Sequence, residues 1–190
     1  MVQLAQPKET ARLVLRSFQA NDLDDLAAIF ADVSVNRFLY TEPRSRDETA
    51  RALDKRLGVV SEPDEDTILR VAVALPTTNR LVGDFMLRWS EDVHRQGEVG
   101  GSLHPDVHGR GYASEVYEAL LEIAFTRYDQ HRVCGRCDAR NAPSVRSLEK
   151  VGLRREAHFV ENEFVKGEWT DEIVLAILQN EWRAAHHSSE

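Results

Sequence analysis

At 190 residues, with 42% hydrophobic and 29% charged side chains, the chain has the size and balance of a globular domain, and neither a disordered nor a fibrous composition fits it. Its formal net charge of -8 argues against a nucleic-acid partner, because an acidic protein repels a phosphate backbone at long range. Met1 to Pro7 has neither a basic start nor a long apolar run, and no stretch reaches the length of a membrane-spanning helix, so a cytoplasmic protein with no membrane partner is expected.

No repeat, low-complexity tract or Gly/Ser linker divides the sequence. Residues 1–190 therefore read as a single domain, with a core from about 10 to 182 and a polar tail, His186 to Glu190, that should fray. Arg12 to Arg16 is a first short strand. Asn21 is the expected N-cap of an amphipathic helix whose stripe is Leu23, Leu26, Ala27 and Phe30. Asn36 to Pro43 carries two aromatic residues and is either a binding loop or a packed connection. Ser45-Arg46-Asp47-Glu48 has the capping-box form and opens a second helix reaching about Leu57.

Ile68 to Leu75 and Leu81 to Trp89 form a hairpin around the turn residues Pro76 to Asn79. Gly97 to Leu103 follows as another strand, and its Gly100-Gly101 pair suggests a bulge or a close approach by another backbone or a ligand. Gly109 to Tyr128 is the clearest helix, with Ala113, Val116, Tyr117, Leu120 and Ala124 on one stripe. The strand Val133 to Ala139 comes next. A short helix then starts at Asn141, carries Pro143 in its first turn and closes at Gly152. Strands Arg154 to Val165 and Trp169 to Leu178 finish the chain around Lys166-Gly167-Glu168. The order suggests an α/β protein, a mixed sheet covered by helices.

Cys134 and Cys137 lie three apart on a strand and so point to opposite faces, which makes them two ordinary thiols. One Cys-x-x-Cys does not complete a zinc site, and Pro105 between His104 and His108 argues against a helical metal pair, so no metal is expected. Trp89, Trp169 and Trp182 are candidates for an interface, in a monomer or a homodimer.

The informative segment runs from Glu98 to Val116: a strand, a glycine loop and a helix start. A helix N-terminus leaves backbone N–H groups without partners at the positive end of its dipole. Gly109 and Gly111 let a phosphate approach those amides, and Arg110 adds a positive charge. Alone, the loop fits either a tight turn or an anion site. It also fits a dinucleotide-binding oxidoreductase, with Asp138 as the acidic residue ending the next strand. A second strand–helix unit, Asn141-Ala142-Pro143-Ser144 through Glu149-Lys150-Val151-Gly152-Leu153, presents another polar first turn and has no role in that dinucleotide reading.

Together the two segments resemble the GNAT superfamily of N-acetyltransferases. Gly109-Arg110-Gly111 matches the family's glycine core, and the later stretch matches its Asn-x-x-Ser…Glu-Lys-x-Gly pattern. The opening Thr10-x-Arg12-Leu13-x-Leu15-Arg16 and Glu98-Val99-Gly100 are similar to the ribosomal-protein alanine/serine N-acetyltransferase branch. The resemblance covers about Thr10 to Trp182. It implies a mixed, mostly antiparallel sheet of about seven strands, flanked by about four helices and splayed between the fourth and fifth strands.

It further implies an acyltransferase that moves an acetyl group from acetyl-CoA to a primary amine, of a protein N-terminus or a small molecule. Leu103, His108, Gly109, Arg110, Gly111, Tyr112, Ala113, Ser114, Asn141 and Ser144 would hold the coenzyme, with Ser144 near its sulfur. Glu163 aligns with the branch's general base, and Glu98 is the competing carboxylate. Two departures stand out. The loop's first position is Asp106, and the position of the family's acidic tyrosine holds Leu148. A CoA-binding module without catalysis is the alternative reading.

Overall fold

The computed structural model describes residues 3–58, 67–89 and 94–187, so residues 188–190 of the expected frayed tail lie outside the described residues. Among the described residues, eight strands form one sheet: β1 (Lys8–Glu9), β2 (Val14–Arg16), β3 (Thr67–Ala74), β4 (Leu81–Trp89), β5 (Gln96–Leu103), β6 (Arg132–Asp138), β7 (Arg154–Val165) and β8 (Glu168–Leu178). Their order is β1-β2-β3-β4-β5-β6-β8-β7, antiparallel except for the parallel pair β5–β6. The strand beyond the expected seven is the two-residue β1, too short to carry a period.

Six helices accompany the sheet among the described residues: α1 (Leu23–Ala31), α2 (Val33–Asn36), α3 (Arg46–Arg56), α4 (Tyr112–Glu122), α5 (Ala142–Glu149) and α6 (Gln179–His187). The two that were not expected are the four-residue α2, opened by Asp32 accepting from the Ser34 and Val35 amides, and the C-terminal α6. Trp182 of α6 is buried and its indole donates to Glu118, which removes it as an interface candidate.

Three local expectations are corrected. Asn21 does not cap α1; it sits inside a 3₁₀ turn, Ala20–Asp22, held because the buried Asp22 carboxylate accepts from the Gln19 amide and from Arg16. The long helix begins at Tyr112, because Gly109 and Gly111 are left-handed, and it passes into a π turn over Ile123–Arg127. No bulge interrupts β5: its register against β4 runs unshifted through Gly100 and Gly101. Gly101 instead provides close approach, since a Cβ there would stand 2.4 Å from the Phe85 ring. Register shifts occur instead at Val73–Ala74 of β3 and twice in β7, where the five residues Phe159 to Glu163 lie opposite the three residues Thr170 to Glu172 of β8, a bulge beside which Glu163 is half-buried.

Alternation along β3 sends Leu69, Val71 and Val73 to a core shared with α4, α5 and α6, and Ala72 to a smaller core with α1 and α3. Salt bridges bury themselves beside the smaller core: Arg16 with Asp22 at 2.7 Å and Arg56 with Asp84 at 2.5 Å. The feature that makes the site is the β5–β6 pair. It is registered only at Gln96–Arg132, Gly97–Val133 and Glu98–Cys134, after which the strands diverge.

Candidate active site

The diverging strands open a cleft of about 580 Å³. Leu103, His108, Gly109, Gly111, Tyr112, Ala113, Ser114, Asn141 and Ser144 all line it, so nine of the ten expected coenzyme residues are brought together. Arg110 is the exception. Its side chain is exposed and outside the lining, and its carbonyl is held by the Arg12 guanidinium at 2.8 Å. The cations that line the cleft are Arg146 and Lys150 of the following helix turn.

Each wall has a local cause. Gly109 and Gly111 adopt φ of 74° and 77°, a conformation disfavoured for other residues, which turns the backbone at the start of α4. His108 donates through Nε2 to the Leu103 carbonyl at 2.9 Å, pinning the loop to the end of β5. The His104 amide donates to the Val82 carbonyl, so strand alternation turns the neighbouring Leu103 amide away from β4 and toward the splay. Asp106 does not face the loop amides: its carboxylate pairs with Arg80 at 3.3 Å. Asn141 caps α5 by accepting the Ser144 amide at 3.3 Å, and the Ser114 hydroxyl donates to the Ser147 carbonyl, locking α4 to α5.

The family-like opening explains itself here. The Thr10 hydroxyl, the Arg12 amide and the Arg12 guanidinium all converge on Glu115 in the first turn of α4, at 2.6, 2.8 and 2.7 Å. Burial opposes ionisation of Glu115, yet these donors outweigh it and hold its carboxyl below the ordinary range. Arg12 also stacks over Tyr112, 4.7 Å from the ring centre. The opening motif carried this signal; its partner Glu115 did not stand out in the sequence.

Ser144 meets Cys137 at 3.3 Å, and Tyr117 of α4 bonds to the same hydroxyl. Burial pushes the Tyr117 phenol up, which keeps it protonated, and the Ser144 contact opposes that rise. The sequence placed Tyr117 only on a core stripe; the structure adds it to the cleft wall. Leu148, in the position of the missing tyrosine, packs against Gly135 in the core.

On the other side of the splay lies a smaller cavity of about 30 Å³, lined by Phe38, Tyr40, Asp138, Glu163, Val165, Thr170, Asp171 and Glu172. Phe38 lines both spaces, so the loop read as a binding loop or a packed connection forms their shared wall. Lys166 ties the β7–β8 hairpin to α2 through the Asn36 carbonyl at 2.6 Å. Glu163 lines this cavity; Glu98 lies nearby but is engaged by Arg88 at 2.7 Å. Glu172, which sequence reasoning missed, is 2% exposed. Burial raises its carboxyl above the ordinary range; Arg136 opposes that, while Glu163 and Glu98 reinforce it.

The family model described as "Acetyltransferase (GNAT) domain" matches residues 12–154. The chain belongs to the GNAT acetyltransferase family. It is 31% identical over 173 residues to the uncharacterized N-acetyltransferase YnaD of Bacillus subtilis, covering 91% of this chain and 97% of that one. It is 24% identical over 173 residues to the spermidine N(1)-acetyltransferase of Vibrio cholerae, covering 90% and 96%. Among solved structures, a GNAT-family acetyltransferase from Bacillus anthracis superposes with a TM-score of 0.82 at 28% identity, over 93% of this chain and all (100%) of that one. The Vibrio cholerae spermidine N-acetyltransferase in complex with CoA and spermine shares the fold, with a TM-score of 0.76 at 23% identity over 92% and 99%.

This GNAT chain is therefore an N-acetyltransferase by family, with the mixed, mostly antiparallel sheet of that fold. The dinucleotide reading falls: the sheet is not doubly wound, and Asp138 is occupied by the Arg140 amide and guanidinium. Among the described residues, no group of three or more His, Cys, Asp or Glu side chains is placed to hold a metal. No helix among them is long and apolar enough to cross a membrane.

Proposed function

We propose that this acetyltransferase moves an acetyl group from acetyl-CoA to a primary amine that is cationic in solution, a small basic molecule or a protein N-terminus. The observation that carries the reading is the change of charge across the splay. Arg146 and Lys150 line the cleft on the α4–α5 side, and four carboxylates line the cavity beyond it. A pyrophosphate suits the first and an ammonium the second. The small cavity, with room for little beyond an ammonium head, favours a slender amine over a bulky one. The resemblance to the ribosomal-protein branch is what keeps a protein N-terminus among the acceptors.

The residues fit a coenzyme A. The amides at Gly109 to Ala113 would face its pyrophosphate, and Lys150 Nζ and the Arg12 guanidinium stand 3.8 and 3.6 Å from where a Cβ of Gly111 would lie. Asn141 would hold a pantetheine amide. The Leu103 amide, turned into the splay, would polarise the thioester carbonyl. Ser144, backed by Tyr117, would steady the departing thiolate. The acceptor's proton would leave toward the acidic side, where Glu163 and Glu98 are the candidates by motif register.

Thiol release from acetyl-CoA, measured across diamines, polyamines, aminoglycosides and short peptides, tests this. Small basic amines should accelerate release most. If acetyl-CoA binds and no amine accelerates release, the chain is a CoA-binding module without catalysis.

A further inference from the structure

Among the carboxylates near the splay, Glu172 differs in kind. Glu98 is neutralised by Arg88, and Glu163 sits in the more open β7 bulge beside the Asn162 amide at 3.4 Å. Glu172 is buried and half satisfied. Its Oε2 accepts from Asn162 Nδ2 at 3.1 Å, while its Oε1 has no hydrogen bond, the nearest cation being Arg136 Nε at 3.5 Å. A buried carboxylate oxygen without a donor costs free energy, so an open acceptor of this kind points to a ligand that supplies one. The cavity that Glu172 lines is large enough for an ammonium group, and it shares Phe38 with the coenzyme cleft.

Strand register adds a second observation. Glu172 pairs with Asp138 at the wide end of the splay, one residue along from the Cys137–Ile173 pair. Burial raises the Cys137 thiol; Ser144 opposes this, and Glu172, Asp138 and Glu98 add to the rise. The Glu172 charge is thus felt across β6 at the Ser144–Cys137 contact, where the coenzyme sulfur is expected.

We propose that Glu172 is the base that takes the proton from the acceptor ammonium. This rests on the acetyl-transfer reading above. The ammonium N–H donates to Oε1, and its proton passes to the carboxylate, giving a neutral amine and a carboxylic acid. The amine nitrogen then attacks the thioester carbon; the new C–N bond forms as the C–S bond breaks. The second nitrogen proton goes to the thiolate, and Glu172 returns its proton to water. The charges facing Glu172 tune this. Arg136 and Asp138 approach from β6, Glu98 from β5 with its β4 partner Arg88, Glu163 from β7 and Tyr40 from the loop before α3, and Asp171 is its chain neighbour. With burial they leave the carboxyl above its ordinary value, closer to the neutral range where a general base works well.

The test is the pH dependence of kcat/KM for wild type, Glu172→Gln and Glu163→Gln with an amine that the wild type acetylates. Glu172→Gln should lose roughly 100-fold near pH 7, within the usual range for general-base removal. It should recover toward wild type near pH 10, where solution deprotonates the amine, with acetyl-CoA affinity unchanged. Glu163→Gln should keep the acidic limb of the profile. Wild-type behaviour of Glu172→Gln, an equal loss at every pH, or a limb lost only in Glu163→Gln overturns the assignment. Because wild-type turnover is the precondition, a failure of the acetyl-transfer reading shows separately, as no turnover by any of the three.

Discussion

The two sides of the splay are built by opposite means. The proposed donor side is made mostly of backbone: two left-handed glycines, a helix N-terminus and an amide turned outward by strand alternation, with Arg146 and Lys150 at its margin. The proposed acceptor side is made of side chains: Asp138, Glu163, Asp171 and Glu172 around a space walled by Phe38 and Tyr40. A backbone cradle reads only phosphate and amide geometry, and any sequence that keeps the glycines preserves it. A side-chain cavity changes with each substitution. On the proposed reading, the donor is fixed by the fold, and the acceptor is set by a handful of carboxylates.

Gly111→Glu breaks the donor side most severely. It forces a side chain onto a residue at φ 77° and brings an anion to the phosphate site. Acetyl-CoA affinity measured by calorimetry should fall at least about 100-fold, some 2.8 kcal/mol. Retained affinity would remove the loop as the phosphate site. A gentler change sharpens the same side. Lys150→Ala and Arg146→Ala should each weaken acetyl-CoA binding by roughly 3- to 10-fold at low salt, because each removes one exposed cation. The loss should shrink as ionic strength rises. A loss independent of salt would mean that these residues act by packing.

Legibility in the sequence divides along the same line. The donor side was readable, because a glycine loop and a helix cap are contiguous in the chain: Gly109-Arg110-Gly111 and Asn141-Ala142-Pro143-Ser144 announce themselves. Strand and helix order followed from periodicity, apart from β1 and α2, too short to show one, and the C-terminal α6. The acceptor side was scarcely readable. Glu172 lies in an apolar strand, and only the register against β6 and the β7 bulge brings it beside Asn162, Asp138 and Glu163. Arg110 is the expected residue whose side chain lies outside the cleft lining. It stands next to the right glycines, but its backbone is captured by Arg12, nearly a hundred residues earlier.

Two carboxylates give the comparison its finest test, since they titrate in opposite senses. Glu115, under the donor loop, has its carboxyl lowered below the ordinary value. Its stabilising contribution is present above the unfolded pKa of about 4.3 and is lost as pH falls through the lower folded value. Glu172, on the acceptor side, has its carboxyl raised. Its contribution is intact below the unfolded pKa and is lost as pH rises through the folded one. Glu115→Gln should therefore lower Tm near pH 7, by an amount matching about 1–2 kcal/mol for a charge-assisted hydrogen bond, and the deficit should narrow below about pH 4. Glu172→Gln should match wild type near pH 4 and unfold at a higher temperature near pH 7. Thermal unfolding from pH 3.5 to 8 checks both. Parallel rather than crossing trends would mean that the two sides do not differ electrostatically, and that the acidic cavity is ordinary surface. Crossing trends would mean that the fold holds one carboxylate ionised to fasten the donor loop and keeps the other at a stability cost, as a group retained for its chemistry would be.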